Sequence, residues 1–145
     1  MSDSNRTLLV EYLKSAVGLE LRAAAMYGHM ATYCRGQSRL LLSPFFEGEA
    51  AESVMHLGMV RQVLADLDVE APVSYQIDFS FDSAEDLSYS DLLTSALEME
   101  TQAHQTYMNA YEVACELPLP TLQRKLEDLM DQERESVLEV RRLLG

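Results

Sequence analysis

Shifted by eighty positions, the first half of this 145-residue chain lies on the second half without a gap. Between positions 13 and 64 the overlay gives eleven identities, where about four are expected by chance between helical segments rich in Leu, Ala and Glu. Their spacing says more than their number. Glu20, Ala23 and Tyr27 recur as Glu100, Ala103 and Tyr107, a Glu-x-x-Ala-x-x-x-Tyr stripe present twice. A step of three or four residues is helical spacing. The chain therefore reads as two copies of one helical hairpin.

Periodicity fills in the four helices. The first runs from about Asn5 to Cys34, with Leu9, Leu13, Ala16, Glu20, Ala23, Tyr27 and Met30 on one face and Gly36 as its stop. The second is expected from Ser43-Pro44, a cap followed by a first-turn proline, to about Asp66. Its inner face is read as Phe46, Glu49, Ser53, His56, Val60 and Val63. A third helix starts at Ser88 or Ser90 and ends near Cys115; after Leu117-Pro118-Leu119-Pro120 a fourth fills Thr121 to Leu144. The outer connections are short, so each hairpin is antiparallel. The middle one, Leu67 to Leu87, is long and includes a non-helical alternation over Tyr75 to Asp82. Stretched out, about 20 residues span up to about 60 Å, enough to run the length of a bundle. The expected fold is all-α, one domain over residues 1–145: an antiparallel four-helix bundle with one long crossover. A short lid or partner strand in that connection is the alternative.

Charge and composition narrow the function. With 24 acids against 11 bases, the chain carries a net charge of −13 and has no Lys/Arg cluster. A nucleic-acid partner is not expected, because nothing would neutralise phosphates. Nor is a membrane partner: no apolar run approaches the length of a span, and no secretory signal is seen. Cys34 and Cys115 lack CxxC spacing and read as free thiols of a reducing cytoplasm, packed as small buried hydrophobes. His29 and His104 fall off the inner stripes and are expected at the surface or between subunits.

The chemistry lies in the two matched acids. Glu20 is flanked on its stripe by Ala16 and Ala23, Glu100 by Ala96 and Ala103. An ionised carboxylate on a bundle's inner face costs several kcal/mol unless it is paired or bound to metal. Neither stripe carries a Lys or Arg, so a hard cation is the natural partner. Small neighbours leave room for ligation, and each Tyr is placed to hydrogen-bond a carboxylate. A solvent-facing rotation of both helices is the bland alternative.

At this point the chain resembles the ferritin-like diiron proteins, nearest to bacterioferritins and the diiron bundles of rubrerythrin. Those carry one Glu on each odd helix and Glu-x-x-His on each even helix, all pointing inwards. Ala51-Glu52-Ser53-Val54-Met55-His56 looks like the family's Ala-x-Glu-x-x-His with one Glu lost; Glu133-Arg134-Glu135-Ser136 looks like its counterpart with the His lost. The resemblance implies metal ligation by Glu20, His56, Glu100 and Glu133, helped by Glu52 or by Glu49. It implies iron, as a pair or singly, with another divalent metal as the alternative, and Fe(II) oxidation with Glu20 and Glu100 as its catalytic residues. Iron storage or detoxification in a homo-oligomer, a dimer or a larger shell, would follow. No haem is expected, since Val54 stands where the haem-binding Met of bacterioferritins would be. A single structural or regulatory metal, or a metal-free scaffold that binds partners, are the other readings.

Overall fold

The computed structural model describes residues 3–73, 75 and 86–145. It is built of four helices: α1 (Asp3–Tyr33), α2 (Gly36–Asp66), α3 (Tyr89–Ala114) and α4 (Pro120–Leu144). The inner stripe read from α1, Leu9 to Cys34, is buried throughout.

Helix α2 begins seven residues earlier than expected, at Gly36 rather than Ser43. Gly36 does interrupt the chain, but only for a moment. Its φ of +65° is in the left-handed region, which a glycine enters without a Cβ clash, and α2 follows at once. Ser43-Pro44 is therefore an internal pair and not a cap. Pro44 removes the N–H that would bond the Leu40 carbonyl, but it lies on the exposed face beside Leu40 and Leu41, where water replaces the lost donor. The Ser43 hydroxyl instead donates to the Ala31 carbonyl at 2.7 Å, tying α2 to α1.

Two hydrogen-bonded caps define the ends of the long connection. After α2, Val69 N–H bonds the Leu64 carbonyl and Asp68 N–H that of Ala65, both at 2.9 Å. This is a Schellman closure with Asp68 at φ +59° in the position usually given to glycine. Before α3, Ser88 and Asp91 form a reciprocal capping box. Between α3 and α4, the Gln123 amide donates to the carbonyls of Ala114 and Leu117, and Pro120 opens α4 at its first turn.

Hydrogen bonds fix the topology. Tyr27 of α1 reaches Glu100 of α3, while Glu20 meets Tyr107, so α1 and α3 run antiparallel. Asp66 meets Lys125 and His56 meets Gln132, so α2 and α4 do too. Helices α2 and α3 then point the same way, and the segment joining them must return along the bundle. That is the single crossover. Along its way the Tyr75 hydroxyl donates to the Lys14 carbonyl, and its ring sits where any Cβ on Gly18 would collide. The rest of the alternation read over Tyr75 to Asp82 lies outside the described residues.

The core has two apolar parts. One is at the end where α1 starts, with Leu9, Leu13, Leu57, Val60, Leu126 and Leu129; the other, at the far end, holds Met30, Leu42, Phe46, Leu92 and Leu93. Each fully buried Leu stabilises the fold by about 1.5–3 kcal/mol. Cys34 is buried as expected, but Cys115 is exposed. Cys115 lies just past the last residue of α3, on the outer side of the turn that leads from buried Ala114 to buried Leu117.

Replacing the strained Asp68 by glycine is expected to raise stability by about 0.5–1 kcal/mol. Urea denaturation at unchanged m-value reads this directly. A lower midpoint for Asp68→Gly would mean that the aspartate side chain itself holds the turn.

Candidate metal centre

Between the two apolar parts lies a layer of six buried polar side chains: Glu20, Ser53, His56, Glu100, Glu133 and Ser136. Each helix contributes at the level the eighty-residue repeat dictates. Glu20 pairs with Glu100, Ser53 with Glu133, and His56 with Ser136. The tyrosines bind crosswise: Tyr27 donates to Glu100 Oε1 at 2.6 Å and Tyr107 to Glu20 Oε1 at 2.9 Å. Each hairpin's phenol thus orients the other hairpin's carboxylate.

Within this layer, ligand atoms of Glu20, His56 and Glu133 all lie within 4.8 Å of one another. His56 Nδ1 is 2.9 Å from Glu133 Oε1 and 3.7 Å from Glu20 Oε1. Its other nitrogen, Nε2, is 2.8 Å from the Gln132 amide oxygen, and Glu52 Oε1 approaches the same nitrogen at 3.5 Å. Both ring nitrogens face acceptors, Nε2 the Gln132 oxygen and Nδ1 the carboxylates, so in the metal-free layer each contact holds a proton. Glu100 stands beside Glu133, and Glu49 reaches both Glu100 and the Ser136 hydroxyl.

Electrostatics make this layer costly without a cation. Burial, then the neighbouring Glu133, push the Glu100 carboxyl up to about 10. Burial, Glu100 and Glu52 push Glu49 up to about 8. Burial raises Glu133 as well, with the Glu20 charge adding to it. For His56, burial works to lower the imidazole, but contact with Glu20 outweighs it and the net direction is up. Burial, followed by the adjacent carboxylates, holds both Tyr27 and Tyr107 well above the ordinary phenol range, so they remain donors. No Lys or Arg is buried among the described residues. Glu133 Oε2 is buried and meets no amide, hydroxyl or imidazole donor, leaving only the neighbouring Glu100 carboxyl against that group; a buried acceptor left unmet costs about 1–3 kcal/mol, more when charged. A donor set of carboxylates and one imidazole, with an acceptor left over, fits a divalent transition metal such as iron.

Of the residues singled out in the sequence, Glu20, His56 and Glu133 come together as a triad, and Glu100 joins them at its edge. Glu52 sits on the outer side of the imidazole, with a partly exposed side chain. Gln132 was not anticipated. The repeat held the clue, since Gln132 is the counterpart of Glu52, and both end at the same His56 nitrogen. His29 is exposed and His104 half-buried, away from the layer.

The raised carboxyls give the metal-free protein a definite pH dependence. A group whose pKa is raised on folding favours the fold below its unfolded value, about 4.5, and that contribution is lost as pH climbs through the folded value. Glu49, Glu100, Glu133 and His56 all act in this direction. Chelator-treated protein should therefore lose stability between pH 5 and pH 9, on the order of 1 kcal/mol per pH unit for a buried carboxyl such as Glu100. Urea midpoints across that range test it; a flat or rising profile contradicts a proton-holding layer.

Comparison with known proteins agrees with this geometry. A ferritin-like diiron-carboxylate protein from Bacillus anthracis str. Ames superposes with a TM-score of 0.85 at 27% identity, covering 100% of both chains. The DPS protein from Vibrio cholerae O1, of the same broad superfamily of ferritin-like diiron-carboxylate proteins, gives 0.87 at 12% identity over 100% of this chain and 94% of that one; it speaks for the fold alone. No curated protein matches in sequence. The sequence signature of the ferritin-like domain spans residues 10–145, and with the bundle and its buried carboxylate layer in view the chain belongs to the ferritin-like family.

Proposed function

We propose that this chain binds Fe(II) within the bundle through Glu20, His56, Glu100 and Glu133 and promotes its oxidation by dioxygen or a peroxide, in the service of iron storage or detoxification. The observation that carries this reading is the buried Glu20–His56–Glu133 triad, with one carboxylate oxygen that no amide, hydroxyl or imidazole donor meets. Carboxylate oxygens stabilise Fe(III) more than Fe(II), so ligands of this type favour loss of the electron.

The residues around the triad divide the work. Tyr27 and Tyr107 each donate to one oxygen of Glu100 and Glu20 and so fix how these carboxylates are turned; on Glu20 that oxygen is also the one nearest His56. Gln132 holds the imidazole in place. The protons that Glu100 and its neighbours hold in the metal-free protein leave to solvent as Fe(II) binds, and those consumed when the oxidant is reduced are drawn from solvent. Each Fe(II) gives up one electron; dioxygen taking two electrons and two protons leaves as hydrogen peroxide, and peroxide taking the same leaves as water.

The reading extends to a homo-oligomer in the cytoplasm. Two free thiols suit a reducing compartment, and no described helix is long and apolar enough to cross a membrane. Leu40, Leu41, Val54 and Met55 are exposed on α2; about four turns apart on one face, they form two separate apolar pairs suited to self-association. A second reading, one metal without turnover, is favoured by Ser136 standing where a second histidine ligand would be.

Substituting Glu20→Gln or Glu100→Gln is expected to slow aerobic Fe(II) oxidation about 100-fold or more, with helicity by circular dichroism intact. Stopped-flow ferric absorbance is the readout. Unchanged kinetics in both variants sink the proposal, and Fe(II) that is bound but never oxidised selects the single-metal reading.

A further inference from the structure

Charge on α4 is sorted by face. Glu135 and Glu139 line a cleft towards α2 in which every charged residue is an acid. Arg134 and Arg141, nearly in line on the helix because seven residues make almost two turns, face the other way. There they meet Thr101 and His104 of α3 around a cavity of about 290 Å³, walled by Val137 and Leu138. No acid lines this cavity, in a chain with 24 acids against 11 bases.

The polar side chains of the cavity have nothing to bind within the protein. Among the described residues Thr101, His104, Arg134 and Arg141 make no ion pair or hydrogen bond, although Arg142 beside them pairs with Glu139. A threonine inside a helix commonly returns its hydroxyl to the carbonyl four residues back, as Thr32 and Thr106 do; the Thr101 hydroxyl does not. Nor does the scaffold require such a lining. Eighty positions earlier, Thr101, His104 and Arg134 correspond to Leu21, Ala24 and Val54, and only Arg141 has a polar counterpart, Arg61.

We infer that this cavity is an oxyanion site that takes a phosphate group, either free or carried by a small organic molecule. Two guanidinium forks offer paired N–H donors that match phosphate oxygens. The Thr101 hydroxyl adds a donor, and so does the His104 ring, which keeps an N–H whether neutral or protonated. Val137 is buried and Leu138 half-buried, an apolar wall against which the carbon body of a phosphomonoester can lie. With a net charge of −13, the protein repels anions except where local charge reverses its field. Both arginines are exposed, so binding is weak and sensitive to salt. The site is independent of the iron-binding reading, since none of its residues belongs to the buried polar layer.

The test is calorimetric titration of the full-length chain at low chloride with phenyl phosphate, inorganic phosphate and phenol. Stripping metal beforehand keeps phosphate from binding to iron instead. Both phosphates are expected to bind at one site per chain and phenol not to bind. Tighter binding of phenyl phosphate assigns the site to organic phosphates, and equal binding assigns it to the free ion. Arg134→Gln and Arg141→Gln should each weaken binding about fivefold, whereas Arg61→Gln, which removes the same charge at the repeat-related position, should leave it unchanged. Equal weakening in Arg61→Gln overturns the proposal, because binding then follows net charge alone. So does phenol binding as tightly as its phosphate, or a parent chain that binds neither phosphate. If that last result comes with an altered native mass in Arg134→Gln, the cavity is a contact between copies of the chain instead. Circular dichroism of each variant checks that the bundle is intact.

Discussion

Carboxylates crowded into a water-excluded layer are the constraint around which this bundle is arranged. Glu20, Glu100 and Glu133 are all nearly inaccessible to solvent, and among the described buried residues His56 alone can carry a positive charge beside them. Isolated ionised carboxylates in such a place cost several kcal/mol each. The fold answers locally with phenol donors crossing between hairpins and with protons retained on Glu100. The large apolar side chains lie towards the two ends, so that the core is a pair of apolar plugs around a polar centre. A cation of suitable size resolves the crowding more completely than protons can, because it serves several oxygens at once.

Much of this was legible in the sequence because two different periodicities agree. The helical step put Glu20, Ala23 and Tyr27 on one face, and the eighty-residue repeat put Glu100, Ala103 and Tyr107 on its mate. Either alone leaves the acids free to face solvent; together they place both at one level of a bundle. Helix boundaries were less legible. Ser43-Pro44 carries the local signature of a helix start, yet the chain was already helical, since a proline on an exposed face loses only a bond that water can replace. Cys115 was misjudged for a related reason: its counterpart in the repeat is not the buried Cys34 but Arg35, in the break between helices, and α3 has likewise just ended there. Gln132 escaped assignment, and the choice between Glu49 and Glu52 stayed open, because both depend on which residues of α2 and α4 stand opposite each other.

The two halves of the repeat have diverged in a complementary manner. In the first hairpin the even helix keeps His56 and has Ser53; in the second it keeps Glu133 and has Ser136. Neither retains a whole Glu-x-x-His motif. Folding nonetheless brings His56 and Glu133 within 2.9 Å of each other, so that one complete pair is reassembled across the α2–α4 interface. The symmetry of the scaffold is thus kept where it orients carboxylates, through the crossed Tyr–Glu bonds, and broken where it would have supplied duplicate ligands.

That pattern of loss has a physical logic. A glutamate at position 53 would add another buried negative charge to a layer already holding protons to reduce its own, and serine removes that burden while still being buried. Ser136 is likewise small and neutral, and Glu49 approaches it from α2. Glu49 is only half-buried, so its carboxyl is less completely cut off from water than those of the core. Holding three carboxylates rather than four in the buried layer lowers the cost of folding without metal.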